Sequence, residues 1–168
     1  MTVVTDSGPL IVLAKISHLH LLPILYTEVI IPPAVYREVV VVGQTRGYAD
    51  AKALQAFFDS RGWQPSGPPR MPPELTGEAR LGKGEREAIA LAQQHQSLLL
   101  VDEVYARSVA ARMGIETVGS LGILVEAYRK GNLTPGVLEE LLRTMERRED
   151  IWIHPDLCRR VRREILGK

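Results

Sequence analysis

Four short apolar runs, each leading into a helix-start signal, constrain this chain more than any other feature. They are Val3-Val4, Val29-Ile30-Ile31, Leu98 to Val101 and Glu116 to Val118. Runs this short suit strands buried on both faces rather than helices. Between them, apolar residues recur at helical spacing. Ser7-Gly8-Pro9 opens the first helix, with Ser7 able to cap and Pro9 tolerated in the first turn. A second helix is expected over His18 to Leu25, bent near Pro23. Another starts near Pro33 and runs to about Val42, although the β-branched run Val39 to Val42 also suits a strand. Ala49 to Arg61 reads as helix, and Gln64 to Gly84, rich in Pro and Gly, as a loop with a short strand near Trp63. Further helices are expected over Gly84 to His95, Glu103 to Met113, Ser120 to Lys130, Pro135 to Arg148 and Pro155 to Leu166.

Strands alternating with helices predict an α/β fold: three layers, with a mainly parallel sheet of four to five strands flanked by helices. The 168 residues fit a single domain with a substantial core, in which 134–168 form a helical C-terminal extension. The formal net charge of +1 excludes a binder that relies on bulk positive charge, but not an acidic site with a local basic rim. Cys158 is the single cysteine, which excludes an internal disulfide and a thiolate metal cluster. The four histidines are scattered, without the spacing of a zinc site or a catalytic triad. No run is long and apolar enough to span a membrane. No basic leader precedes the first strand, so a cytoplasmic location is expected.

In parallel α/β sheets, ligands sit at the carboxyl ends of strands, which singles out Asp6 and Asp102, although capping of the following helix is the ordinary reading of either aspartate alone. Each residue of a helix turns by about 100°, so Val35, Val39 and Val42 share a face and Glu38 lies on its edge, beside the core. Acids are rarely placed toward a core without a cation, a donor or a metal. The same geometry aligns Glu85 with Ala88, Ile89 and Ala92, while Glu87 faces elsewhere. Four acids from four segments, Asp6, Glu38, Glu85 and Asp102, would repel one another strongly without a cation. Hard oxygen donors suit Mg²⁺ or Mn²⁺.

At these residues the chain resembles the PIN-domain family of metal-dependent nucleases, in a branch described as a domain of unknown function. The resemblance lies in Val4-Thr5-Asp6-Ser7-Gly8-Pro9-Leu10-Ile11, in Ile31-Pro32-Pro33-Ala34-Val35-Tyr36-Arg37-Glu38-Val39, and in Gly84-Glu85-Arg86-Glu87-Ala88-Ile89-Ala90-Leu91-Ala92. Leu98-Leu99-Leu100-Val101-Asp102-Glu103 and Val118-Gly119-Ser120-Leu121-Gly122 complete the set, which runs in order from about Thr2 to Leu133. The resemblance implies that Asp6, Glu38 and Asp102 are three of the family's acids, and that Glu85 stands where many members carry Asp. It makes Ser7, Glu103 and Ser120 auxiliary to the site. It further implies a Mg²⁺- or Mn²⁺-dependent endoribonuclease acting on RNA, the toxin of a toxin–antitoxin pair, with a small antitoxin protein as partner and a homodimeric state.

Arg86 and Arg107 lie next to the acidic segments and are candidates for phosphate contact; a solvated surface role is their ordinary alternative. The cluster Arg159-Arg160-Val161-Arg162-Arg163 suits a solvated helix face. Two other classes compete with the nuclease. One is a catalytically inactive nucleic-acid- or protein-binding module on the same scaffold. The other is a phosphoryl-transfer protein with an aspartate nucleophile, which would place paired acids at the first strand end, where Asp6 stands alone.

Overall fold

A computed structural model describes residues 1–67 and 69–168. Pro68, within the loop expected over 64–84, lies outside the described residues. The chain begins with β1 (Thr2–Thr5), α1 (Ser7–Lys15), α2 (Leu21–Leu25) and β2 (Glu28–Ile30). Next comes α3 (Pro33–Tyr36), which runs without a break through a π-helical stretch, Arg37–Val42, into α4 (Gly43–Thr45). Then follow α5 (Ala49–Arg61), α6 (Pro73–Thr76), α7 (Lys83–His95), β3 (Leu98–Leu100), α8 (Val104–Arg112) and β4 (Thr117–Val118). Three helices close the chain: α9 (Ser120–Arg129), α10 (Pro135–Arg147) and α11 (Pro155–Leu166).

The four strands form one parallel sheet in the order β2-β1-β3-β4. Side chains alternate between its faces, and this alternation separates two cores. Val3 and Leu100 point to the face covered by α1, α5 and α9. Val4, Ile30, Leu99 and Val101 point to the other, packed by α7 and α8. The expected three-layer α/β architecture is therefore present, with four strands. Helices α10 and α11 contribute Leu138, Leu142, Met145 and Cys158 to the first of these cores. No helix among the described residues is long and apolar enough to cross a membrane.

Local differences from expectation have local causes. Asp6, not Ser7, occupies the N-cap position of α1, and Ser7 is its first helical residue. The second helix starts only at Leu21, because Ser17 adopts a left-handed φ of 58° that interrupts the chain; Pro23 then falls in the first turn. Val39 to Val42 is helical, not strand. Val39 and Val40 are both buried while Val41 is half-exposed, a pattern no alternating strand gives. No strand forms at Trp63; an isolated parallel bridge joins Ile31 to Pro65 instead. The loop also holds the short helix α6, which buries Leu75.

Candidate active site

β1 connects to β2 on one side of itself, whereas β3 lies on the other. The carboxyl ends of β1 and β3 thus flank the point where the strand order reverses, the place where an open parallel sheet leaves a crevice. Asp6 follows β1, and its N–H donates to the carbonyl of Leu100 in β3 at 2.9 Å. Asp102 follows β3 across the same crevice.

Asp6 is 6% exposed, and its carboxyl is pushed up to about 7, mainly by burial and further by the charges of Glu85, Glu38 and Asp102. Glu85, Glu38 and Asp102, from three other segments, therefore all bear on the charge of Asp6. Asp102 is likewise raised by burial, opposed by Ser120 and by the guanidinium of Arg107. Ser120, wholly buried, donates from its N–H to Asp102 Oδ1 and from its hydroxyl to Oδ2, both at 2.6 Å. These donors stand at the first residue of α9, where the helix dipole also favours an anion. Glu85 is raised by burial and by repulsion from Glu103 and Glu38, against a 2.8 Å hydrogen bond from the Gly82 N–H.

Three glycines let the acids approach backbone closely. A Cβ at Gly84 would stand 3.3 Å from Glu38 Oε2 and 3.8 Å from Asp6 Oδ1; one at Gly8 would stand 3.3 Å from Asp102 Oδ2. At Gly119 it would come within 2.9 Å of Asp102 Oδ1 and 3.4 Å of Arg107 Nη1. The π-helical stretch carries Glu38 toward Gly84, a use of that rare geometry common at functional sites. The Ser7 hydroxyl is buried without a hydrogen-bond partner.

The auxiliary residues divide. Ser120 and Arg107 flank Asp102. Glu103 is the N-cap of α8, accepting from the Ala106 N–H at 2.7 Å, and reaches the cluster only through its charge on Glu85. Arg86 does not figure among the charges that act on Asp6, Glu85 or Asp102. Most of the C-terminal arginines are engaged on their own surface: Arg159 and Arg162 pair with Glu146, and Arg160 pairs with Glu164.

Two groups were missed by sequence reasoning. Glu87 does not face solvent: it is 6% exposed and accepts from the Ala34 N–H at 2.7 Å, anchoring the first turn of the helix that carries Glu38. The unbroken apolar run Ala88 to Ala92 was the available signal, since it marks a helix buried nearly all round. Arg37 and Lys83 line a cavity of about 280 Å³ together with Glu38 and Gly84, so a cationic rim adjoins the acids.

Donor chemistry and enclosure fit a hard divalent cation: carboxylates only, around a crevice that glycines keep open. Among the described residues, however, no three His, Cys, Asp or Glu groups close on one point as a ligand set. Ser120 holds Asp102 and Gly82 holds Glu85, while mutual repulsion favours splaying.

A protein-family model described as a PIN domain matches residues 2–166. Searches of curated proteins and of solved structures find no match.

Proposed function

Because the chain belongs to the PIN-domain family, whose members are generally nucleases, we propose that it is a divalent-metal-dependent endoribonuclease that hydrolyses RNA phosphodiester bonds. The observation that carries this reading is the convergence on the buried Asp6 carboxyl: Glu38 Oε2 and Asp6 Oδ1 both lie beside Gly84, and Asp102 Oδ2 lies beside Gly8 at the start of the helix that follows Asp6. A cluster of anions at a sheet's switch point opposes folding, and a cation is the simplest relief. Asp6 and Asp102 would be the principal ligands of Mg²⁺ or Mn²⁺. Glu38 and Glu85 would hold the ion from the opposite wall or orient the attacking water. When bound, the ion supplies positive charge for the phosphoryl oxygens and a water of lowered pKa.

The chain's own residues complete the site. Ser120 fixes the Asp102 carboxylate through two donors, and Arg107 beside it is placed to receive a phosphate. The proposal takes in, from the resemblance of the sequence motifs alone, a toxin neutralised by a small antitoxin protein and a homodimeric state.

The test uses purified protein, Mn²⁺ and a mixed RNA pool. Asp6→Asn and Asp102→Asn should abolish Mn²⁺-stimulated cleavage, and calorimetry should show that the heat of Mn²⁺ binding is lost with it. Unchanged cleavage by the Asp6→Asn protein would remove Asp6 from the mechanism. Metal-independent RNA binding without cleavage by the parent would favour an inactive binding module on the same scaffold.

A further inference from the structure

Beside Asp102 lies a second, open groove of about 390 Å³, whose lining includes Asp102, Arg107, Val104, Trp152, His154 and Leu157. Its outer wall is unusual. Trp152 is 92% exposed, Val104 79% and Leu157 47%. An indole left almost wholly in water loses the apolar contact that normally places tryptophan in an interior or an interface.

We propose that this groove is a subsite for an unpaired base of single-stranded RNA, stacked on Trp152, next to the phosphate at the acid cluster. The inference rests on the nuclease reading and deepens it by assigning the base-stacking subsite. Three observations select this occupant. The groove contains Asp102, so whatever fills it abuts the proposed reaction centre. The polar groups along it suit a nucleotide. Arg107 offers guanidinium donors to a phosphate, and His154 is held in place by the Asp156 N–H, which donates to its Nδ1 at 3.2 Å. Finally, the volume is that of a small-ligand pocket. Aromatic stacking tolerates any base, because each has a π-face, and duplex RNA cannot offer one.

The experiment measures fluorescence anisotropy of a labelled 12-nucleotide single-stranded RNA of mixed sequence in EDTA, so that binding is read without cleavage. Trp152→Ala should weaken binding by roughly 5- to 160-fold, and Trp152→Phe should recover most of it. A blunt duplex of the same sequence should bind the parent and Trp152→Ala equally. Since Trp152 is exposed, melting temperatures of both variants should stay near the parent's. Equal single-strand affinity for the parent and Trp152→Ala overturns the inference, and so does a Trp152-dependent dimer in sedimentation without RNA, which would assign the patch to a second copy of the chain. If Trp152-dependent binding is found but Mn²⁺ elicits no cleavage, the nuclease reading fails and the subsite stands. Cleavage with no Trp152 effect on binding gives the reverse.

Discussion

The carboxyl of Asp6 allows a test that needs no substrate. In the metal-free protein its pKa is pushed up from the ordinary 3.8 to about 7, mainly by burial and then by Glu85, Glu38 and Asp102. Between those two values the folded protein holds a proton that the unfolded chain has released. Stability must therefore fall as pH rises through that window. At about 1.4 kcal/mol per tenfold change, the full loss is on the order of 4 kcal/mol, complete only above neutrality. Asp6→Asn removes the charge in both states. The amide carries its own penalty, about 1–2 kcal/mol for donors buried without partners. The variant should accordingly gain about 2–3 kcal/mol at pH 8 in EDTA. At about 2–4 °C per kcal/mol for a domain of this size, that is a melting temperature roughly 5–10 °C above the parent's.

At pH 5 most of the parent's loss has not yet occurred, so the two proteins should melt within a degree or two of each other. Mn²⁺ at pH 8 should then raise the melting temperature of the parent and leave Asp6→Asn nearly unmoved. The assay is differential scanning fluorimetry across pH, with and without the metal. An advantage for Asp6→Asn that is equal at pH 5 and pH 8 would refute the reasoning, because only a shifted ionisation makes it pH-dependent. A less stable variant at pH 8 would refute it outright.

Two further outcomes are expected. Gly119→Ala should push Asp102 off Ser120, since the new methyl group would lie 2.9 Å from Oδ1; cleavage should fall by roughly 100-fold for a stability cost of about 1–3 kcal/mol, and retained activity would show that Asp102 can move freely. Glu87→Ala should lower stability by about 1–3 kcal/mol by orphaning the Ala34 N–H, with Glu87→Gln recovering most of it in chemical denaturation, and equal loss in both variants would mean that the negative charge rather than the acceptor matters.

The legible parts of this fold were those set by short-range pattern. The apolar runs placed the four strands of the described residues, and Pro135–Arg147 and Pro155–Leu166 carried clear helical periodicity. The π-helical geometry of Arg37–Val42 was not legible, because wheel arithmetic presumes a constant turn per residue. Glu38, expected on the edge of the buried face, is exposed, with Oε2 beside Gly84. Glu87 was misjudged for a related reason. The wheel identified one inward face of α7, whereas the helix is packed between the sheet and α3 and has little outward face there. Asp6 and Asp102 could be singled out as a pair, because strand-end placement in a parallel sheet is a topological rule rather than a matter of contact. Arg107 could be named only from its nearness to Asp102 along the chain, and the close approach of Gly119 to Asp102 depends on distances that only tertiary packing sets.

The acid cluster also explains what residues 134–168 contribute despite holding none of the four acids. Burying Asp6 among three other carboxylates is a local cost, and the surface ion pairs of α10 and α11 are too solvated to offset it. Apolar burial is the available counterweight. Leu138, Leu142, Met145 and Cys158 bring α10 and α11 into the same core as Ile123, Leu124 and Ala127 of α9. It is α9 whose first residue, Ser120, grips Asp102 with two donors. The C-terminal helices thus brace the site at one remove: they fix the helix that fixes the carboxylate. Loosening this packing should disturb Asp102 before it unfolds the sheet, because β4, the strand that leads into α9, is an edge strand and the shortest of the sheet.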